Sequence, residues 1–140
     1  MNVLCYTREA LADEVYAKRL GLSMHLAYEN EKGKYIPLHH NEGILYVKAT
    51  HCSDGTMVAK SLRNPYLFET VDGNFGVLAV RTDSEGESDT QSDDCVMLWK
   101  STDLVHYQEM GLIRLEESGE IQKVKCVCQN NEYILVWQNE

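Results

Sequence analysis

The side chains of this chain best suited to chemistry fall into a few small groups. Arg63 and Asn64 are adjacent and precede Pro65. A guanidinium fork beside an amide offers several donors and one acceptor, which suits the hydroxyls of a sugar. The same pair has a structural use, with Arg63 bridging two sheets and Asn64 held extended, since a residue before proline is biased that way. Arg8 and Glu9 follow a short apolar stretch and would stand either at a cavity mouth or on a solvated turn. His25 alternates with Met24 and Leu26, so its imidazole belongs on the opposite face of the same strand. These five residues are the substrate-binding candidates, and no residue is assigned a catalytic role.

Metal chemistry finds little support. His39 and His40 are consecutive, and on a strand they would point to opposite faces, away from a shared ion. With His51 they read as surface or partly buried side chains. Cys126 and Cys128 share one strand face, but Cys5, Cys52 and Cys95 are scattered, and zinc needs a second ligand pair. The five thiols read as buried or half-buried and unpaired, which fits a reducing cytoplasm. Asp83, Glu85, Glu87, Asp89, Asp93 and Asp94 crowd one loop without the Asp-x-Asp-x-Asp-Gly order of a calcium site. No nucleophile elbow, phosphate loop, dinucleotide fingerprint or zinc-protease helix is found. Neither metal nor cofactor is expected. Trp99, Trp137, Tyr16, Tyr46 and Tyr107 could stack on sugar rings, although aromatics on strands mostly pack against neighbours.

Bulk properties narrow the partners. The 140 residues, 44% hydrophobic and 25% charged, suffice for one globular domain with a core. With 22 acidic against 13 basic residues the net charge is −9, which argues against a nucleic-acid partner. No apolar run approaches the ~20 residues that cross a bilayer. The opening residues lack the basic and apolar regions of a secretory signal. A cytoplasmic protein with no membrane partner is expected.

The elements that must position these residues are short strands. Val3 to Thr7, Leu22 to Tyr28, Tyr35 to Leu38 and the lead-out from His40 to Lys48 form a first group. Glu9 to Arg19 carries Leu11, Val15 and Tyr16 at the spacing of a short helix or ordered loop. Asp54-Gly55 marks a turn. Strands over Tyr66 to Thr70, Phe75 to Arg81, Cys95 to Lys100 and Tyr107 to Leu115 form a second group, with turns at Val71 to Asn74 and Ser101 to Asp103. The polar stretch from Thr82 to Asp94 loops out between them. Ile121 to Cys128 and Tyr133 to Trp137 pair across Asn130-Asn131.

The groups repeat weakly. Leu26-Ala27-Tyr28 with Tyr35 to Leu38 parallels Leu98-Trp99-Lys100 with Tyr107 to Leu112. Four-strand repeats of ~50 residues favour a propeller over a sandwich. The fold class expected is all-β, a partial five-bladed propeller of about two and a half blades, each an antiparallel four-stranded sheet. In one incomplete domain over residues 1–140, the first blade covers about 1–50, the second about 61–116, and the start of a third about 119–140. Raw strand edges then call for a homo-oligomer or for pairing with the remaining propeller blades.

Several stretches resemble the amino-terminal part of the five-bladed propeller glycoside hydrolases, family 43 and its relatives. They are Ser23 to Tyr28 with Tyr35 to Leu38, Asn41 to Leu45, Lys60 to Phe68, Asp72 to Val77, and Ser101 to Tyr107. Arg63-Asn64-Pro65 stands where the family carries Arg-Asp-Pro. The resemblance implies a carbohydrate partner, commonly arabinose- or xylose-containing plant polysaccharide, and inverting hydrolysis. Inversion needs an acid and a base ~6.5–9.5 Å apart with water between them. Carried over by position, the blade-two Asp becomes Asn64, and the acid Glu of blade three falls near Lys125, with Glu120 close by. No matching Asp is recognisable in the first unit, where Thr7-Arg8-Glu9 ends the first strand. The resemblance thus implies a glycosidase-like segment inactive by itself; the alternative is a non-catalytic carbohydrate-binding or protein-interaction module on the same scaffold.

Overall fold

Period-two apolar patterns and Gly- or Asn-rich turns dominate the chain, and strands follow from them. The computed structural model describes residues 2–8, 23–47, 50–51, 55, 57–58, 60–83, 95–115 and 121–139. Among these the protein is all-β with antiparallel pairing throughout and no α-helix. The helix expected over Glu9 to Arg19, the candidate Glu9, Tyr16, Cys52 and most of the acidic loop lie outside the described residues.

Four antiparallel sheets make up the body. β1 (Val3–Thr7), β2 (Met24–Glu29) and β3 (Tyr35–Pro37) form the first sheet. β4 (Thr50–His51) and β5 (Met57–Val58) form a small separate pair around Gly55. β6 (Lys60–Glu69), β7 (Phe75–Asp83), β8 (Cys95–Ser101) and β9 (Gln108–Arg114) form a four-stranded sheet in chain order. β10 (Ile121–Gln129) and β11 (Glu132–Asn139) form a two-stranded sheet.

The turns explain the registers. Asn30 Oδ1 accepts from the amides of Lys32 at 2.9 Å and Lys34 at 3.0 Å, closing the β2–β3 hairpin. Gly73 takes φ 81 in the β6–β7 turn, a left-handed value that glycine adopts freely. Asn130 and Asn131 have φ 50 and 63, matching the type I′ turn that a two-residue hairpin favours, and Gln129 pairs with Glu132 across it. In the β8–β9 turn Asp103 Oδ1 accepts from the amides of Val105 at 2.9 Å and His106 at 2.8 Å.

The four-stranded sheet is buried on both faces. Along β7, Val77 and Ala79 join Met24, Leu26, Leu45, Leu62, Met97 and Trp99 in one core against the first sheet. Leu78 and Val80 point the other way, joining Val96, Leu115, Ile121, Val124 and Cys126 against the third sheet. This is why Phe75 to Val80 reads as a nearly continuous apolar run rather than an alternating one. Each such side chain, once buried, stabilises the fold by about 1.5–3 kcal/mol. The first strands of the sheets lie side by side: β1 beside β6, and β6 beside β10.

Three local expectations are corrected. Asn64 is not extended. It has φ 52 inside a β-bulge between Arg63 and Tyr66, where the β6–β7 register slips. Asparagine tolerates the left-handed region better than most residues, and the bulge re-aims its amide. β6 also begins at Lys60, earlier than the Tyr66 start that the sequence pattern marks. The third concerns β2, whose period-two pattern suits a half-buried strand: Met24, His25, Leu26 and Ala27 are all buried, so the face that carries His25 is covered as well.

Candidate functional site

Bulges and strand ends often mark functional sites, because they re-aim side chains. Here a cleft of about 620 Å³ opens between β1, β6 and β10, within the roughly 300–1,000 Å³ of small-ligand pockets. Its walls comprise Cys5, Tyr6 and Thr7 of β1, Arg63 to Tyr66 of β6, Gln122 to Lys125 of β10, and Gln138 of β11.

Arg63 and Asn64 both line it, and both also tie β6 to β10. The Arg63 guanidinium donates to the Ile121 carbonyl at 2.8 Å. The Asn64 side-chain amide donates to the Gln122 carbonyl, and Tyr66 Oη donates to the Cys126 carbonyl at 3.2 Å. On the opposite flank the Cys5 thiol donates to the Pro65 carbonyl at 3.2 Å. Burial raises the Cys5 thiol above its usual pKa, so it stays protonated and serves as a donor rather than a nucleophile. The structural and ligand-facing readings of Arg63 and Asn64 are therefore not exclusive: the inter-sheet bonds fix the wall of the cleft.

Arg8 and His25 form a different cluster on the far side of Tyr6. The Arg8 guanidinium reaches the Asn41 carbonyl at 3.5 Å. The Tyr6 hydroxyl donates to Asn41 Oδ1 at 2.7 Å, and its ring stacks on His25 with centroids 5.4 Å apart. Ser23 Oγ lies 3.3 Å from His25 Nε2. Burial first, and then the charge of Arg8, lower the His25 pKa despite an opposing contribution from the Asn41 backbone. His25 is thus a packed imidazole behind the cleft wall whose charged form is disfavoured. Asn41, which sequence reasoning gave no site role, joins this cluster because His39, His40 and Asn41 have φ 54, 56 and 60. Three successive left-handed non-glycine residues are costly, and no local sequence signal announces them. His39 and His40 are exposed on this turn rather than on a strand.

The remaining candidates separate cleanly. Trp99 is in the core, Tyr107 is half-buried with its hydroxyl donating to the Leu104 carbonyl at 2.9 Å, and Tyr46 and Trp137 are exposed. Cys126 is buried and Cys128 exposed, both as free thiols. Among the described residues no three His, Cys, Asp or Glu side chains gather to hold a metal, and no helix is long and apolar enough to cross a membrane. Sequence reasoning missed Gln122, Lys123, Gln138, Tyr6 and Thr7 as cleft residues; their only signal was membership of the first strand of each repeat, or of its hairpin partner.

Chemically the cleft offers donors and acceptors from Tyr6, Thr7, Asn64, Gln122 and Gln138, and cations from Arg63, Lys123 and Lys125. No family model, no curated protein and no solved structure matches this chain.

Proposed function

We propose that this chain is the amino-terminal part of a glycoside-hydrolase-like propeller, that its inner-strand cleft binds arabinose- or xylose-containing glycans, and that it does not cleave them by itself. One observation carries the reading: the first strands of the three-, four- and two-stranded sheets converge on a single cleft, and Arg63 and Asn64 line it. Convergence of inner strands on a shared space is what blades around an axis produce. The order of the larger sheets along the chain, three, four and then two strands, supports the same arrangement. The inactivity follows from chemistry. Asn64 and Lys125 both line the cleft; Asn64 stands at, and Lys125 near, a position to which the resemblance assigns a carboxylate. An amide cannot ionise and an ammonium carries the wrong charge to act as the pair that inversion needs. Titration calorimetry with arabinoxylan oligosaccharides, run beside a reducing-sugar assay, tests both halves. Heat of binding without sugar release is the expected result; sugar release abolished by changing Glu9 or Glu120 would overturn the inactivity.

A second observation favours an interaction role alongside the first. An apolar groove of about 560 Å³ lies beside the β10–β11 hairpin, walled by Phe68, Leu78, Leu98, Met110, Ile113 and Tyr133, among others. β11 has no partner on its outer edge among the described residues. In the four-stranded sheet the equivalent edge of β7 is filled by β8 and β9. Two further antiparallel strands, from additional blades or from a second copy, would cap that edge and fill the groove.

A further inference from the structure

We infer that two copies of this chain join through β11, the outer edge of one pairing antiparallel with that of the other about a two-fold axis at Leu135; this rests on the open-edge reading above and commits it to one occupant. The three-, four- and two-stranded sheets end in β3, β9 and β11, and the first two carry features that discourage pairing. β3 is three residues long and ends in Pro37. At β9 the register with β8 slips between Leu98 and Trp99, and Gly111 takes φ 141. Short strands, prolines and bulges all blunt an edge. β11 has eight residues, neither proline nor glycine, and one charged side chain, Glu132. No strand pairs with its outer edge among the described residues. Tyr133 to Trp137 is a continuous apolar run, as Phe75 to Val80 is in β7. There the run is paired on both edges and buried on both faces, whereas Tyr133, Ile134, Val136 and Trp137 are exposed.

A second copy fits this edge residue by residue. A two-fold axis normal to the sheet makes the pairing antiparallel and sets residues of the same face opposite each other. Centred on Leu135, it places Ile134 against Val136 of the second copy, Tyr133 against its Trp137, and Glu132 against its Gln138. Aromatic and β-branched pairs are those that strengthen cross-strand contacts. No like charges meet, although each chain carries a net charge of −9. Lys123 pairs with Gln138 within one copy, so it extends the row that holds Glu132 of the other, and the charges sharing that row are opposite. Centring on Ile134 would instead set Glu132 against Val136. Val127 lies beside Ile134, so Val127, Ile134 and Val136 of both copies form one aliphatic patch on the far face. The product is a continuous sheet of four strands, as many as β6 to β9 make. β10 is the strand of the hairpin that lies against β6 and β7. β11 is anchored at its start, where the Tyr133 hydroxyl accepts from the Val71 amide at 2.8 Å and its ring lies 6.0 Å from that of Phe68. A strand already held in place loses less conformational freedom on pairing.

The test is sedimentation equilibrium on the full 140-residue chain and its variants. The parent is expected at twice the monomer mass, falling to the monomer on dilution. Ile134→Glu and Val136→Lys each bury an unpaired charge at the joint, so each alone should weaken self-association by about tenfold or more, with the circular dichroism of the parent. Mixed in equal amounts, the two should form a heterodimer, because their new charges then face each other across the joint. Leu112→Lys, on the outer strand β9, should leave the mass unchanged. Hydrogen exchange on the parent gives an answer even if a variant fails to fold: residues 132–139 should exchange more slowly as concentration rises, and residues 108–114 should not. Failure of the folded variants to dimerise on mixing, an assembly larger than a dimer, or loss of the dimer in Leu112→Lys would overturn the inference. A monomer at every concentration would overturn it too. If the β11 amides of that monomer exchange fast, the edge is open to strands of another kind and the open-edge reading stands; if they are protected, both fall.

Discussion

Asn64 shows how a single residue ties fold to site. Its left-handed backbone (φ 52) creates the bulge in β6, and its amide bonds the Gln122 carbonyl on β10. Asn64→Ala should lower stability by about 1–2 kcal/mol, the worth of a hydrogen bond plus backbone strain. Asn64→Gly should cost less, since glycine accepts the positive φ. Urea denaturation of both variants checks the order, and a larger loss in the glycine variant would contradict it. His25 gives a pH prediction. Its folded pKa lies below the ordinary imidazole value because burial and Arg8 disfavour the charged form. The unfolded chain therefore binds the proton first as pH falls. Stability is full above about pH 6.5 and declines as the pH drops below it, toward the lowered folded value. Thermal melts from pH 7.5 down to pH 5 should show that decline, and His25→Phe, which keeps the ring on Tyr6, should flatten it. Not all of this was legible from sequence. The types of Arg63 and Asn64 marked them, but a bulge overrode the extended bias before Pro65. Asn41 gave no signal, since its role depends on three left-handed residues that local propensity disfavours.

At the scale of elements, β7 carries the molecule. Its side chains alternate between two cores, Val77 and Ala79 facing the first sheet and Leu78 and Val80 facing the third. Leu78→Ala should destabilise by about 2–5 kcal/mol through transfer and cavity effects together. Gly76 is a second sensitive point, because a β-carbon there would run into the Phe68 ring that lies over it. Gly76→Ala should therefore destabilise although alanine suits a strand better than glycine does; an unchanged melting temperature would show that the ring moves aside freely. The strands of each sheet were readable because turn residues sit at their ends: Asp72-Gly73, Thr102-Asp103 and Asn130-Asn131 lie in the turns or bends that join them. The double burial of β2 was less readable. His25 and Ala27 look like the outward half of an alternating pattern, and only the loop from Leu38 to Leu45, folded back through backbone bonds between Met24, Ile44 and Leu45, shows otherwise.

At the scale of the whole molecule, the three-, four- and two-stranded sheets bring their first strands to one cleft, and among the described residues nothing covers the far face of the two-stranded one. Val127, Ile134 and Val136 are exposed there, at 46%, 43% and 53%, beside the open edge of β11. Exposed apolar edges of this kind recruit further strands, so light scattering should give a mass above the monomer that falls on dilution, and Ile134→Lys/Val136→Lys should return it to monomer. The convergence of β1, β6 and β10 was readable only in outline, because a weak repeat orders the strands but says nothing of which residues meet across sheets. Glycan binding depends on that convergence. The most direct test is a nuclear magnetic resonance titration of the labelled chain with arabinoxylan oligosaccharides. Shifts confined to Tyr6, Thr7, Arg63, Asn64 and Gln122 to Lys125 are the predicted result; shifts elsewhere, or none at saturating sugar, would contradict it.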